Sequence, residues 1–393
     1  MTEMSRRGPG AEVIVRKLDS AQYPAMREMA VKRWNQEHGQ GEYYDLFNLD
    51  FIHFIMAGPY ENENAMLGAF IGEELVGTVG LIVFNLSIRG VLYKTAYASF
   101  LTSDREKRRA LCDPHAPLFW NGFSDHRHFA PVASPAIAHI LSAAAYAYCH
   151  DHGIQGIIAY FEEKSLSYKV VRAISDKTSY VKKIFDIKPT WSMVRIVRMA
   201  ELLQRKDISP FLKMMARLIR LDRIPTPSLV FPDQVIDYSE HYLPECLLLL
   251  NEYQKNVGLA RVWSIEELKC HLSYPGVSKT YLFVEWGRVK GMINTQIMAS
   301  VGNEGIFKYA ILDHIHLLRL NQHEKRYFIT ILLEKLKAEG LTGVIARHMG
   351  YSDESIFSKM GFRKNRRYLN QVFISLDETI NLHGVLHTYV SFV

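Results

Sequence analysis

Apolar and polar positions follow the same pattern in the two halves of the chain. Residues 68–82 and 281–294 each hold two short apolar runs joined by a tight acidic or glycine-containing turn, with Gly77 or Gly291 inside the second run. This pattern predicts a β-hairpin in each half. Because it recurs at half the chain length, we expect two related units.

The segments on both sides of each hairpin match as well. A short β-type run and an amphipathic helical stretch precede it, and a further β run and a long helix follow it. In chain order these segments are Val13–Leu18, Ala21–Trp34, Tyr93–Leu101 and Ser134–His150, then Gln234–Asp237, Pro244–Gln254, Phe307–His314 and His323–Glu339. Gly153 and Gly340 are expected to end the long helices before a buried strand. The pattern predicts an α/β (α+β) fold with two mixed central sheets flanked by helices.

The length of 393 residues is enough for two or three domains. The repeat predicts a first unit over 1–200, a linker over 201–233 and a second unit over 234–393. Within the linker, Arg205–Arg223 has the pattern of a basic amphipathic helix, and the proline-containing run from Ile224 breaks it. We expect this helix to pack across both units; the alternative is a helix that lies on an anionic bilayer.

Composition and charge narrow the class of protein. Hydrophobic residues make up 48% of the chain, which is ordinary for a folded globular protein. No stretch approaches the roughly 20 apolar residues of a membrane span, and no secretory signal is expected. The widely spaced cysteines form no Cys-x-x-Cys pair, so we expect a reduced, cytoplasmic protein. The net charge of +6 is too small for a dedicated nucleic-acid binder, but it suits a polyanionic cofactor or a weak contact with an acidic membrane surface.

Short motifs add a family resemblance to this pattern. Phe47–Pro59 ends in a proline exit, Ser99–Leu101 reads Ser-Phe-Leu at the end of the fourth strand of the repeat, and Ala130–Val132 reads Ala-Pro-Val. These motifs and the order of the elements resemble the GCN5-related N-acyltransferase (GNAT) superfamily. The two-fold version resembles N-myristoyltransferase, roughly over residues 12–198 and 233–376, and implies a tandem GNAT fold.

The resemblance also implies a reaction. In this fold the fourth and fifth strands diverge, and the pantetheine of an acyl-CoA lies between them. The backbone N–H groups of Phe100 and Leu101 would form an oxyanion hole for the thioester oxygen. The first unit would bind acyl-CoA, from acetyl-CoA to longer chains, as cosubstrate without a metal; an acyl-carrier protein is the alternative donor. The second unit would bind an amine-bearing small molecule, peptide or lipid, which attacks the thioester directly.

The chain departs from the family's glycine signature where the cofactor phosphates would bind. A basic cluster at 105–109 follows the fourth strand, and an insertion separates it from a helix expected to start at Ser134. The cluster would hold the 3′-phosphate and the helix start the pyrophosphate, unless the cluster is only a solvated loop. The residues assigned to the cofactor are Phe100, Leu101, Arg105, Lys107, Arg108, Arg109, Arg127, Ala130, Val132 and Ser134.

Two residues are candidates for the proton transfers. Tyr168 stands near the start of the helix after the fifth strand, where superfamily members often place the acid that protonates the leaving thiolate. The alternative is a half-buried tyrosine that caps the helix. Asp104 is the candidate base. Myristoyltransferases use their C-terminal carboxylate instead, but residues Glu378–Val393 extend past the last matching strand here, so that role is not assigned to Val393. The apolar segment Val385–Val393 is expected to fold back into a groove.

Other polar clusters in the sequence give weaker evidence for a metal site or an acceptor site. His126 and His128 lie near Cys112 in the insertion, but their spacing matches no standard zinc site, and we expect no metal. Asp313, His314 and His316 end the fourth strand of the second half. Strand alternation places His314 and His316 on one face, where they either meet the acceptor or pack in the core.

The sequence therefore predicts an acyl-CoA-dependent N-acyltransferase that acts by direct attack of an amine, with a lean toward medium or long acyl chains. One alternative is a Fem-type aminoacyl-tRNA-dependent transferase, which also has a double fold of this kind. The other is a non-catalytic pair of degenerate GNAT units that acts as a binding protein, which the missing glycine signature favours somewhat.

Overall fold

The structure is a computed structural model of the chain. It describes residues 13–38, 44–46, 49–58, 60–104, 118–120, 137–162, 166–175, 178–204, 209–218, 220–255, 257–302, 305–347, 354–385 and 388–390.

The first half contains eight described strands and four described helices that follow the predicted order. The strands are β1 (Val13–Lys17), β2 (Tyr44–Leu46), β3 (Ala65–Ile71), β4 (Glu74–Ile88), β5 (Val91–Ser103), β6 (Leu118–Trp120), β7 (Gly156–Glu162) and β8 (Lys183–Ile196). The helices are α1 (Tyr23–His38), α2 (Leu49–Met56), α3 (Ile137–Asp151) and α4 (Leu166–Ser175). A short 3-10 turn at Ser20–Gln22 leads into α1.

The second half repeats this order after two short linker helices, α5 (Ala200–Gln204) and α6 (Pro210–Leu218). Its strands are β9 (Val235–Asp237), β10 (Leu259–Val262), β11 (Ser278–Glu285), β12 (Arg288–Gly302), β13 (Gly305–His316), β14 (Gly343–Arg347), β15 (Arg363–Ser375) and β16 (Thr388–Tyr389). Its helices are α7 (Leu243–Gln254), α8 (Ile265–Leu272), α9 (Gln322–Ala338) and α10 (Glu354–Lys359).

The predicted fold class is confirmed, but the two expected sheets are joined into one. The strand order is β6-β1-β3-β4-β5-β7-β15-β8-β14-β13-β12-β11-β9. The halves exchange their last strands, because β15 pairs with β7 and β8 pairs with β14. The division at 1–200, 201–233 and 234–393 stays a prediction.

The two hairpins are alike in detail. Gly77 pairs with Ala69, and Gly291 pairs with Phe283. In both hairpins the pairing register shifts between this pair and the turn. A Cβ atom at Gly77 would lie 2.5 Å from Ile137 Cγ2 of α3. At Gly291 it would lie 2.7 Å from Leu320 Cδ1, just before α9. Both glycines are therefore needed so that the segment after the fourth strand can pack closely on the sheet.

Residues 388–390 of the C-terminal segment lie on the sheet, whereas the groove expected for Val385–Val393 stays a prediction. Thr388–Tyr389 forms β16 beside β10, and β10 pairs in turn with β4 of the first half. The side chain of Val390 is buried with Phe84 and Ile158 in one apolar cluster. The segment therefore helps to hold the two halves together.

Four apolar side chains of α6 are exposed to solvent. Phe211 is 64% exposed and Leu218 is 68% exposed, and Met214 and Met215 are also exposed; Ala216, in contrast, is buried. The expectation that this helix packs across both units is therefore wrong for these side chains. Among the described residues, no helix is long and apolar enough to span a bilayer.

Candidate active site

Strands β5 and β7 run parallel but remain paired only briefly. The register pairs are Thr95 with Gly156, Ala96 with Ile157 and Tyr97 with Ile158. Although both strands continue, their described register ends there. In the second half, β13 and β14 stay paired from Tyr309 to Leu312, which is one register pair more. The paired stretch between the fourth and fifth strands is therefore shorter in the first half.

A β-bulge lies at the edge of this opening. Thr78 pairs with Thr102 and Gly80 with Ser99, so that Phe100 and Leu101 together face Val79. Phe100 has a φ of +53°, in the left-handed region. A bulky residue there carries backbone strain of about 1–3 kcal/mol, which is usually tolerated where function requires it. The Thr78 Oγ1 hydroxyl donates to the Phe100 carbonyl oxygen over 3.1 Å and fixes the bulge.

The bulge separates the side chains of its two residues. Phe100 packs in a central apolar cluster that contains Ile52 of α2 and also Met298 and Ile311 of the second half. Leu101 packs on the opposite core, which includes α3. The backbone at Phe100 is thus held between two cores, one of which is shared by the two halves.

Two tyrosines lie where β5 and β7 separate. The ring centroids of Tyr97 and Tyr160 are 5.9 Å apart. The Tyr160 hydroxyl donates to the carbonyl oxygen of Val390 over 3.5 Å, so the C-terminal segment reaches the opening. Burial raises the pKa of both phenols, and both stay neutral near pH 7.

Tyr168 packs on the same core as Leu101 and keeps its proton. Its hydroxyl donates to Asp186 Oδ1 over 2.8 Å, and Arg172 forms an ion pair with the same carboxylate. Its ring lies 5.8 Å from that of Phe161 on β7. Partial burial, and then the Asp186 charge, raise the pKa of the Tyr168 hydroxyl.

Asp104 immediately follows β5 and is buried. Its backbone N–H donates to the Val76 carbonyl oxygen over 2.8 Å. Its Oδ2 atom lies 3.2 Å from the Lys32 ammonium of α1. The structure therefore ties this carboxylate to α1 by an ion pair.

The predicted phosphate contacts all lie outside the described residues. They are Arg105, Lys107, Arg108, Arg109, Arg127, Ala130, Val132 and Ser134. The described part of the following helix, α3, begins at Ile137.

The second half has a bulge within one residue of the equivalent place. Ile293 pairs with Ile315 and Thr295 with Leu312, so that Asp313 and His314 together face Asn294. The side-chain amide of Asn294 donates to hydroxyls of β11 at 2.8 and 2.9 Å, which anchors this part of the sheet. Both halves therefore interrupt the fourth strand in the same way, one with apolar side chains and the other with an acid and a base.

Asp313 is the centre of a buried polar cluster. Its Oδ2 atom lies 2.8 Å from His271 Nε2, 3.3 Å from Gln296 Nε2 and 3.4 Å from His314 Nε2. Ligand atoms of His271, Asp313 and His314 all lie within 4.8 Å of one another, which is a possible donor set for a metal ion. His314 and His316 stack at 6.0 Å, so the predicted shared face is confirmed.

A buried ion pair borders this cluster. Arg261 Nη2 lies 3.2 Å from Glu267 Oε1, and the Arg261 guanidinium stacks over the ring of Trp263 at 3.6 Å. Trp263 lies 4.6 Å from the ring of His271. Sequence reasoning missed Arg261, Trp263, Glu267 and His271, although Ser264 and Glu267 form a capping box that marks the start of α8.

Burial keeps the histidines of the cluster in the neutral form, which can accept a proton. It lowers the pKa of His271, although Asp313 opposes the effect, and lowers that of His314 well below the usual value. The pKa of His316 falls to about 3. All three imidazoles are therefore neutral at pH 7.

A cleft between the two halves reaches this cluster. Its empty space is about 420 Å³, part of it open to solvent. Its walls are α2 and β4 on one side and the segment from β10 to α8 on the other. The residues that line it are Phe54, Ile55, Ala57, Gly58, Tyr60, Asn64, Ile82, Val83, Arg261, Trp263, Glu267, Cys270 and His271.

Comparisons with known proteins identify the fold. No protein-family model and no curated protein matches the sequence. Among solved structures, Saccharomyces cerevisiae N-myristoyltransferase with bound myristoyl-CoA has a TM-score of 0.68 at 11% identity, covering 95% of this chain and 84% of that one. A second structure of that enzyme with myristoyl-CoA has a TM-score of 0.66 at 10% identity, covering 95% and 81%. A GCN5-related N-acetyltransferase from Anabaena variabilis has a TM-score of 0.50 at 8% identity, covering 93% and 73%. The chain therefore has a GNAT-like fold that resembles N-myristoyltransferase.

Proposed function

We propose that the protein is an acyl-CoA-dependent N-acyltransferase that transfers an acyl group from the thioester to an amine by direct attack. The observation that carries this proposal is the early separation of β5 from β7 next to the bulge at Phe100 and Leu101. The structural neighbours are acyltransferases, and N-myristoyltransferase has been crystallised with myristoyl-CoA.

On the donor side, the pantetheine lies along the opening between β5 and β7. The N–H groups of Phe100 and Leu101 stabilise the oxygen that becomes negative as the amine attacks, and loss of one such donor costs about 3–4 kcal/mol. Tyr168, which keeps its proton near pH 7, supplies a proton to the leaving thiolate. The central apolar cluster beside Phe100 receives a medium or long acyl chain.

The cofactor phosphates are assigned to the basic cluster and the start of α3. Arg105, Lys107, Arg108 and Arg109 follow Asp104 directly, so they lie within a few residues of the bulge. Arg127, Ala130, Val132 and Ser134 complete the assignment near the helix start.

The acceptor is an amine-bearing small molecule, peptide or lipid that enters from the second half. The shared central cluster and the cleft between the halves bring both substrates to one region, and this orientation supplies much of the rate.

A weak contact with an acidic membrane surface fits the exposed side of α6. Phe211 and Leu218 would enter the headgroup region, with Lys213 and Arg217 beside them. This position would bring the enzyme near amphipathic acyl donors.

Calorimetry with CoA, acetyl-CoA and myristoyl-CoA tests the proposal. Binding of an acyl-CoA with release of CoA in the presence of an amine is expected. The double reversal Lys107→Glu with Arg108→Glu should weaken binding at least about tenfold, because two charge-assisted contacts are lost. The control Arg288→Glu with Lys359→Glu makes the same charge change on the second half and should bind normally.

The outcomes separate the alternatives. Absence of binding at millimolar CoA would refute the proposal. Copurified tRNA without CoA affinity would favour a Fem-type transferase, and tight acyl-CoA binding without turnover would favour a binding protein.

A further inference from the structure

The bulge in β13 places two neighbouring side chains in one site. In a regular strand, adjacent side chains point to opposite faces. A bulge breaks this alternation, because two residues face one residue on the partner strand. Asp313 and His314 are these two residues, and their Oδ2 and Nε2 atoms are 3.4 Å apart. The interruption of β13 thus puts a carboxylate against His271, which lines the cleft.

Asp313 determines which nitrogen of His271 carries the proton. Its Oδ2 atom is also close to the side-chain amide of Gln296, which donates to it, so the oxygen acts as an acceptor. His271 Nε2–H therefore donates to Asp313 over 2.8 Å. The lone pair of the neutral imidazole is then on Nδ1. His271 lines the cleft, so this arrangement is that of a base held in one tautomer by a buried acid.

The cleft lies close to the strained bulge of β5. Ile82 forms part of its wall and belongs to the same apolar cluster as Phe100. Two residues away on β4, about 6.6 Å along the strand, Gly80 lies against the Phe100 ring. Phe54 connects the two regions, since its ring is 5.5 Å from that of His271.

We propose that His271 is the general base for the acceptor amine, which binds in this cleft with its apolar part against Phe54 and Trp263. The inference rests on the proposed function and names its acceptor side. The neutral amine attacks the thioester carbon, His271 Nδ1 takes a proton from the attacking nitrogen, the C–N bond forms and the C–S bond breaks. The departing thiolate receives one proton from Tyr168, which regains a proton from solvent, and His271 later loses its proton to solvent.

The charges around His271 suit this role. Asp313 and Glu267 favour its protonated form, Arg261 opposes it, and the neighbouring His314 is neutral. Tyr60 and Cys270 also line the cleft. The two carboxylates stabilise the imidazolium that forms during attack, against the opposing charge of the single guanidinium.

The test measures CoA release from myristoyl-CoA or acetyl-CoA with glycinamide and with octylamine as probe acceptors. His271→Gln should lower kcat roughly 100-fold or more, leave the affinity for acyl-CoA unchanged, and remove the fall in kcat at acidic pH, which lies below the ordinary histidine range because burial lowers the pKa of His271. Imidazole should partly restore kcat in His271→Ala. His323→Gln, an exposed histidine of the second half, serves as the control, and Asp104→Asn tests the other candidate base.

Each other outcome overturns the inference. The inference would be wrong if His271→Gln kept a kcat within twofold of the wild type. It would also be wrong if the fall in kcat at acidic pH disappeared in Asp104→Asn and not in His271→Gln. A parallel loss of acyl-CoA binding would indicate a structural role. If the purified wild type contained one equivalent of a transition metal and His271→Gln contained none, the cluster would be a metal site. If the wild type binds acyl-CoA but its kcat does not fall at acidic pH, only the inference about His271 fails. If the wild type binds no acyl-CoA, the proposed function fails too.

Discussion

Replacement of Phe100 by glycine and by alanine tests the bulge directly. Both variants remove the aromatic ring, so their difference in stability reports the backbone alone. In an ordinary strand, glycine is less stable than alanine by about 0.5–1 kcal/mol. At a left-handed φ of +53° the alanine carries a cost of about 1–2 kcal/mol that glycine avoids. Phe100→Gly should therefore be more stable than Phe100→Ala by up to about 1.5 kcal/mol.

Urea unfolding followed by tryptophan fluorescence gives the free energies of unfolding. Ala96→Gly is the control, because Ala96 lies in the same strand and does not have a positive φ. This control should be destabilised. A Phe100→Gly variant that is less stable than Phe100→Ala would refute the left-handed bulge, and the proposed oxyanion site with it.

Three further predictions concern other parts of the molecule. Gly77→Ala should cost about 1–3 kcal/mol of unfolding free energy, because its Cβ would lie 2.5 Å from Ile137 Cγ2; an unchanged urea midpoint would contradict this packing. The unfolded state binds more protons than the folded state once the pH falls below 6.5, because the folded pKa of His316 is lowered to about 3. Below pH 6.5, His316 should therefore lower the free energy of unfolding by up to about 1.4 kcal/mol for each unit that the pH falls. His316→Gln should reduce this pH dependence, measured by urea unfolding between pH 7 and 5. Phe211→Glu with Leu218→Glu should abolish sedimentation with phosphatidylserine vesicles, whereas Leu92→Glu, at another exposed apolar position, should not; equal binding by both variants would exclude α6 as the contact.

The repeated pattern made the fold predictable. Each hairpin keeps a glycine at the same position, Gly77 or Gly291, because the segment after the fourth strand must pack closely on the sheet in both halves. The spacing of the apolar runs and the need for a glycine in each hairpin were enough to recognise that repeat. The exchange of β8 and β15 was not predictable, because the strands that pair are far apart in the chain. Their pairing leaves no local signal in the sequence.

The sequence located the end of the fourth strand in the first half but not the polar cluster of the second half. Phe100 and Leu101 could be placed because they end a strand in a recognisable order of elements, although the left-handed φ of Phe100 had no sequence signal. His271 was missed because Asp313 contacts it from 42 residues away, through a bulge. Strict alternation would have turned Asp313 away from His314, and no periodic pattern announces where a strand breaks its alternation.

The exposed side of α6 shows the limit of amphipathic patterns. The spacing of Phe211 and Leu218 correctly indicated an apolar helix face. It could not show whether that face is covered, because the pattern of a core helix and that of a surface-binding helix are the same.

Hydrogen–deuterium exchange with and without acyl-CoA tests the central claim most directly. Saturating myristoyl-CoA should slow exchange at residues 98–104 at the end of β5, and should leave residues 309–316 of β13 unchanged. Protection at β13 alone, or unchanged exchange at β5 in a protein shown to bind acyl-CoA, would contradict the proposal that the cofactor lies in the opening between β5 and β7.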